Sequence, residues 1–149
     1  MWRLKYMGLE KSRVTLVALL MLSSAVIYFF VSYNEYAYAT SGNLSETIQT
    51  IFFATAGIVY LPLGIWMLKN KLQSKIPYLV SIIVSVLMIL LYIVSRNIDL
   101  PYVGIQTDVG PIDIASKVIQ GGIIVISAIL LLKMSNHKLE KDQFRSHAI

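Results

Sequence analysis

The sequence predicts an all-α integral membrane protein, a bundle of four transmembrane helices with both termini in the cytoplasm. Three observations lead to this prediction. First, 56% of the 149 residues are hydrophobic and only 14% are charged, whereas a soluble domain carries about a quarter charged residues. Second, four apolar stretches approach the roughly 20 residues that a helix needs to cross a bilayer. Third, eleven of the thirteen Lys and Arg residues flank these stretches on the same side.

The four apolar stretches define one transmembrane domain over residues 1–149. The predicted spans are 14–33, 48–68, 77–95 and 114–132, joined by an outer loop at 96–113 and followed by a basic tail at 133–149. Lipid offers the backbone no hydrogen-bond partners, so each span must be a helix. Pro62 lies inside the second span and has no N–H to donate, so we expect a kink near mid-membrane. Ser81 and Ser85 form a small face on the third span, suited to close helix packing.

The basic residues orient the predicted bundle. They cluster before the first span, between spans two and three, and after span four. The positive-inside rule therefore puts both termini in the cytoplasm of a multi-pass cell-membrane protein. Because these charges flank membrane spans, we expect a lipid bilayer and no nucleic acid among the partners. The tail at 133–149 can also contact anionic headgroups.

The region after the first span leaves two questions open. Ala37-Tyr38-Ala39 resembles a signal-peptidase site, but the preceding apolar run is longer than a signal core of about 7–15 residues. An uncleaved first span is therefore favoured, with the aromatic residues from Tyr28 to Tyr38 forming an interfacial belt. Asn43-Leu44-Ser45 is a glycosylation sequon. Asn43 with Glu46 three residues later also fits a helix cap, and this interpretation is favoured.

The loop at 96–113 is where we expect the functional residues. Its many Ile, Leu and Val side chains are too apolar for free solvation, so it should fold onto the bundle or bind a partner. Arg96 can pair with Asp99, and Asp113 can cap the fourth helix and pair with Lys117. The candidate partner-contact or loop-fastening residues are Arg96, Asp99, Pro101, Asp108, Asp113 and Lys117. The alternative is a cation or substrate site made by the three aspartates, although their irregular spacing favours a structural role.

The residues around this loop resemble a known pattern. The matching positions are Ser95-Arg96, Leu100-Pro101, Gly104, Asp108, Gly110, Ser116-Lys117 and Gln120-Gly121. This pattern resembles uncharacterised small four-span membrane proteins, mainly archaeal. Some of these look like accessory subunits of large membrane enzymes, the archaeal ammonia monooxygenase among them. The resemblance covers residues 95–121 and supplies no catalytic residue. It implies a chain that packs beside copper-bearing subunits without binding copper itself.

The residue types exclude several activities. A chain without Cys has no disulfides, thiol chemistry, iron–sulfur clusters or Cys-based zinc sites. Both histidines, His137 and His147, lie in the predicted tail, so the spans offer no His ligand for haem and no His base for a serine nucleophile. The first three spans contain no ionisable Asp, Glu, Lys, Arg or His, whereas proton-coupled carriers place a carboxylate in mid-span. We therefore predict no enzyme activity, no cofactor and no metal site.

Three functions stay in competition after these exclusions. The favoured one is a non-catalytic accessory subunit whose partners are other integral membrane subunits, with a copper-dependent monooxygenase as the complex that the resemblance implies. The alternative is a small homo-oligomeric channel or transporter that uses the kink at Pro62 and an outer acidic mouth. A lipid-directed enzyme at the outer leaflet is the third, and Asp113 with Lys117 is its only candidate pair.

Overall fold

The chain folds into four long helices. The computed structural model describes residues 2–39, 42–70, 72–101, 103–106 and 109–146. Within these ranges, side chains are described from residue 11 to residue 136. The helices are α1 (Trp2–Ala39), α2 (Leu44–Asn70), α3 (Ile76–Asn97) and α4 (Pro111–Ser146). The described residues form no strand, only an isolated bridge between Leu100 and Gly104. The predicted all-α class is confirmed.

Each helix contains a segment that is long and apolar enough to cross a membrane. These segments are Lys11–Ala39, Leu44–Asn70, Ile76–Asn97 and Pro111–Asn136. The four helices therefore indicate a multi-pass membrane protein, as the sequence predicted.

The helices extend beyond the apolar stretches. The predicted tail at 133–149 is helical as far as Ser146, and only 98–110 of the predicted loop at 96–113 lies outside a helix. The apolar stretch marks the part of a helix at hydrocarbon depth. The backbone hydrogen-bond ladder can continue into the flanks, because their Lys, Glu and Gln residues have good helix propensity.

The start of α2 has the predicted cap. The Asn43 side-chain oxygen accepts a hydrogen bond from the Ser45 backbone N–H at 3.1 Å, and the Asn43 amide nitrogen donates to Glu46 Oε1 at 3.1 Å. The first of these bonds satisfies one of the donors that a helix leaves unpaired at its N-terminus. The helix-cap interpretation of Asn43 is confirmed.

The start of α4 differs from the prediction. Pro111 is the first helical residue, and Asp113 lies in the first turn instead of at the capping position. The Asp113 carboxylate still accepts a hydrogen bond from the Gly110 N–H at 3.2 Å. The helix begins earlier than we expected because the fixed φ of proline suits the first helical position, where its missing N–H costs nothing.

Helix α2 continues through Pro62. The helix runs from Leu44 to Asn70 with this proline inside it, and the proline ring is exposed. Pro62 therefore does not end the helix, and the expected bend stays a prediction.

The four helices run in alternating directions around a shared core. Helix α1 packs most extensively against α2 and also against α4, α3 packs against α4, and α2 and α3 touch least. Buried residues recur at alternating spacings of three and four, the pattern of left-handed helical bundles. On α1 they include Val14, Ala18, Met21, Ala25, Tyr28 and Ser32. On α3 the predicted small face is confirmed, since Ser81 and Ser85 are both fully buried.

This arrangement gives the bundle two different ends. The start of α1, the α2–α3 connection and the end of α4 lie at one end, called here the terminal end. The α1–α2 connection and the connection at 98–110 lie at the other, called here the loop end.

Candidate functional site

A cavity of about 550 Å³ lies at the loop end of the bundle. All four helices and the 98–110 connection contribute to its walls. It forms where α2 and α3, which make few contacts with each other, leave space between them. Its apolar walls include Ile27 and Val31 of α1, Phe52 and Phe53 of α2, and Met88 and Leu91 of α3.

Arg96 fastens the 98–110 connection across one side of this cavity. Its Nη1 donates a hydrogen bond to the backbone oxygen of Gln106 at 2.7 Å, and its Nη2 forms an ion pair with Asp113 Oδ2 at 3.1 Å. The Gln106 N–H in turn donates to the Ser95 carbonyl at 3.0 Å. A planar guanidinium can hold two acceptors at once, so one side chain links the end of α3, the connection and the start of α4.

The ion-pair partners differ from those expected. We expected Arg96 to pair with Asp99 and Asp113 with Lys117, but the ion pair found among the described residues joins Arg96 to Asp113. Asp99 is exposed at the start of the connection. The reason is the early start of α4, which puts Asp113 in the first turn, within reach of the Arg96 guanidinium at the end of α3.

Lys117 begins a chain of polar contacts that leads from the cavity into the core. Its Nζ donates to Gln120 Oε1 at 3.2 Å, and Gln120 Nε2 donates to the Tyr28 hydroxyl. The Tyr28 ring stacks on Tyr60 with centroids 5.6 Å apart, and the Tyr60 hydroxyl lies 3.3 Å from Ser85 Oγ. Buried polar groups must find such partners in a medium without water. The chain of contacts therefore ties all four helices together.

Sequence reasoning missed several members of this site. Tyr28 was expected in an interfacial belt, yet only 3% of it is exposed. Tyr92 and Gln120 were not singled out at all. A signal for Tyr28 was present in the sequence, because it follows the three-and-four spacing of Ala18, Met21 and Ala25. Hydrophobicity alone does not separate a buried tyrosine from an interfacial one.

The charged residues at the cavity are distributed unevenly. Arg96 Cζ lies 4.9 Å and Lys117 Nζ lies 4.8 Å from the centre of the Tyr92 ring, and both contacts are favourable cation–π distances. Asp113 offsets one of these two positive charges. Glu35 of α1 also lines the cavity. Within the described residues, the α3–α4 side therefore carries a surplus positive charge, and the α1 side carries a negative one.

The connection at 98–110 is two-sided. Leu100 and Val103 line the cavity, so part of this segment folds onto the bundle as expected. Ile98, Ile105 and Val109 do not line the cavity and are 54%, 51% and 57% exposed. The segment thus has apolar side chains at the cavity and others that are exposed.

The other predicted residues lie away from the cavity. Asp99 and Pro101 are exposed on the connection, and Pro62 is exposed on α2, and none of the three is among the residues lining the cavity. Asp108 lies outside the described residues. Over the part of the chain that is described, no group of three or more His, Asp or Glu side chains is arranged to hold a metal ion.

Comparison with protein-family models, curated proteins and solved structures gives no match to this chain. The fold and the site therefore define its class directly: an all-helical, multi-pass membrane protein of four apolar helices, with a cavity at one end of the bundle that has largely apolar walls and a few charged residues.

Proposed function

We propose that this chain is a non-catalytic accessory subunit of a larger membrane complex, in which it binds and positions other integral membrane subunits. The observation that carries the proposal is the two-sided connection at 98–110. Ile98, Ile105 and Val109 are exposed in a segment beyond the spans, where water competes with lipid. Full burial of each such side chain contributes about 1.5–3 kcal/mol, and exposed apolar patches often mark protein contacts.

The proposed topology puts both termini in the cytoplasm and the loop end outside. The support for this orientation is the charge distribution. The basic side chains at the terminal end include Arg13, Lys69, Lys75 and Lys133, whereas Arg96 and Lys117 at the loop end are accompanied by four carboxylates among the described residues. An excess of Lys and Arg in short flanking segments marks the cytoplasmic side. The surface formed by Ile98, Ile105 and Val109 would then face a partner on the outer side of the cell membrane.

The partner class that we propose is a copper-dependent membrane monooxygenase of the archaeal ammonia monooxygenase type. Its support is the resemblance of residues 95–121. These residues include the Arg96–Asp113 pair, which holds the connection in place. In such a complex the chain would supply a contact surface, and the copper would be held by other subunits.

The experiment that tests this proposal is gentle solubilisation of native membranes, a native gel, and mass spectrometry of the proteins that comigrate with this chain. We expect larger metal-bearing chains in the same band. A triple variant with Ile98, Ile105 and Val109 changed to Ser should lose that comigration. The matched control is Asp99→Asn, an exposed change in the same segment, which should retain it.

A band that contains only this protein would overturn the accessory function. The homo-oligomeric channel or transporter would then become the leading alternative, and Pro62, Asp99 and Asp113 would be the positions to test by transport assays. Loss of comigration in the Asp99→Asn control would also count against the specific role of the apolar surface.

A further inference from the structure

We propose that the cavity at the loop end binds a zwitterionic membrane lipid. Its anionic group would lie at Lys117, its ammonium group at Glu35, and the first part of its apolar chains between α2 and α3. This inference is independent of the proposed accessory function, because it concerns a ligand of this chain alone.

Lys117 supplies the anion-binding part of the site. It is half-buried at the cavity wall, and its ammonium group has three donors. One donates to the neutral Gln120 oxygen, and the Tyr92 ring lies beside the group. Among the described residues, no carboxylate lies within ion-pair distance of Lys117. A partly desolvated ammonium without an ion-pair contact is costly, so a ligand anion would stabilise it.

Asp113 interacts electrostatically with Lys117 but forms no ion pair with it. Its Oδ2 atom is engaged by Arg96 and by the Gly110 N–H. The Arg96 guanidinium in turn uses both of its Nη atoms on the protein, while its Nε–H is buried and has no hydrogen-bond partner within the described residues. The side of the cavity formed by α3 and α4 therefore favours a negative ligand group.

Glu35 supplies the cation-binding part. It lines the cavity from α1, and its charge interacts unfavourably with that of Glu46. Glu46 Oε2 is buried without a hydrogen-bond partner among the described residues. Two carboxylates close enough to repel each other favour a cation between or beside them. An ammonium group in the cavity would relieve this repulsion, whereas a purely anionic headgroup would increase it.

The remaining walls suit an apolar chain that enters from the bilayer. Phe52 and Leu91 line the cavity and are 38% and 46% exposed. They lie on α2 and α3, which make few contacts with each other, so we place the entry of the lipid chains between these two helices. A volume of about 550 Å³ lies within the range of ligand pockets. It accommodates a headgroup and the start of its chains, with the chain ends remaining in the membrane.

The test is native mass spectrometry of the purified full-length chain with three lipids that share the same acyl chains. These are phosphatidylethanolamine (zwitterionic), phosphatidylglycerol (anionic) and diacylglycerol (uncharged). Glycerophosphoethanolamine, the same zwitterionic headgroup without chains, is the fourth ligand. We expect phosphatidylethanolamine to bind about tenfold more tightly than phosphatidylglycerol, since a hydrogen bond to a charged group is worth about that factor. Its advantage over diacylglycerol, which lacks both charged groups, and over glycerophosphoethanolamine, which lacks the apolar chains, should be at least as large.

Variants then assign the two charged parts of the site. Lys117→Met and Glu35→Gln should each lower the affinity for phosphatidylethanolamine about tenfold, and Glu35→Gln should not lower the affinity for phosphatidylglycerol. The matched controls are Lys69→Met and Asp99→Asn, which neutralise exposed charges outside the cavity and should change neither affinity. Circular dichroism checks that each variant keeps its helices.

Three results would overturn the proposal. Equal binding of all three lipids, insensitive to both cavity variants, would mean that only annular lipid is bound. Equal binding of phosphatidylglycerol and phosphatidylethanolamine, reduced by Lys117→Met alone, would exclude the ammonium part. Glycerophosphoethanolamine binding as tightly as phosphatidylethanolamine would exclude a contribution of the apolar chains. If one variant fails to fold, the other, on a different helix, still decides the matter together with the wild-type lipid comparison.

Discussion

The two faces of α2 differ in side-chain size and in how extensively the neighbouring helix packs against them. On the face towards α1, small residues recur every seven positions. They are Thr50, Gly57 and Gly64 on α2, and Ala18, Ala25 and Ser32 on α1. A Cβ atom built on Gly64 would lie 3.0 Å from the Leu22 side chain and 3.3 Å from the Ala18 carbonyl oxygen. Near the loop end, Ser32 Oγ donates to the Thr50 carbonyl at 2.9 Å. Close backbone approach of this kind is what holds helices together in lipid.

The face of α2 towards α3 behaves differently. Near the loop end Phe52 of α2 and Leu91 and Tyr92 of α3 line the cavity, and so does Phe53, whose ring also stacks on Tyr28 of α1. Helices α2 and α3 make few contacts with each other, and we infer that these bulky side chains help to keep their backbones apart. A single helix can therefore pack closely against one neighbour through glycine and, through aromatic side chains, leave a cavity beside another neighbour.

Gly64→Leu should produce the largest effect, because it places a large side chain in the closed interface. Overpacking costs typically about 1–3 kcal/mol, occasionally more, and here the nearest atoms include backbone. We expect about 3 kcal/mol of lost stability, measured by unfolding the purified protein in a detergent titration. The matched control is Gly121→Leu on α4, where a Cβ would meet no atom within 4 Å. Equal losses in the two variants would contradict the closed-interface account.

Arg96→Gln should have an intermediate and more local effect. It removes the ion pair with Asp113 and shortens the reach to the Gln106 carbonyl, and hydrogen bonds to charged groups are worth about 1.5–3 kcal/mol. We expect faster amide hydrogen exchange over 98–110, with little change in the α1–α2 interface.

Three further variants control the Arg96 experiment. Asp113→Asn should produce a similar increase in exchange, and the double variant should add little, because both single changes break the same pair. Asp99→Asn should leave exchange unchanged. If Asp99→Asn also loosened the connection, Asp99 would be a fastening residue after all, and the observed pairing would be incomplete as an explanation.

Val31→Phe should have the smallest effect on stability, because it adds volume at the cavity and not in the α1–α2 interface. Val31 lies on α1, as Ala18 does, but it lines the cavity instead of the closed interface. The added ring has free volume to enter, so we expect stability to change by less than about 0.5 kcal/mol. Thermal unfolding in the same detergent measures it. A loss as large as that of Gly64→Leu would show that the space at the loop end is not available to a side chain.

Much of this architecture could be predicted from local sequence. The four helices followed from four apolar stretches, the Asn43 cap followed from a short capping pattern, and the burial of Ser81 and Ser85 followed from their spacing. Each of these features depends on residues within a few positions of one another. The helix ends at Pro111 and Ser146 were less well predicted. Hydropathy indicates which residues lie at hydrocarbon depth, whereas the bounds of a helix depend on its backbone hydrogen bonds.

Local sequence was sufficient to predict four helices long and apolar enough to span a membrane, and a connection with many apolar side chains. Only the packing of the helices brings Arg96 to Asp113 and links Lys117 through Gln120 to Tyr28. The same packing places Arg96, Asp113, Lys117 and Tyr28 around one cavity. These contacts could not be predicted because they join residues that are far apart along the chain. Hydropathy and capping act within a helical turn or a single span, whereas Tyr28 and Gln120 meet only after separate helices have packed.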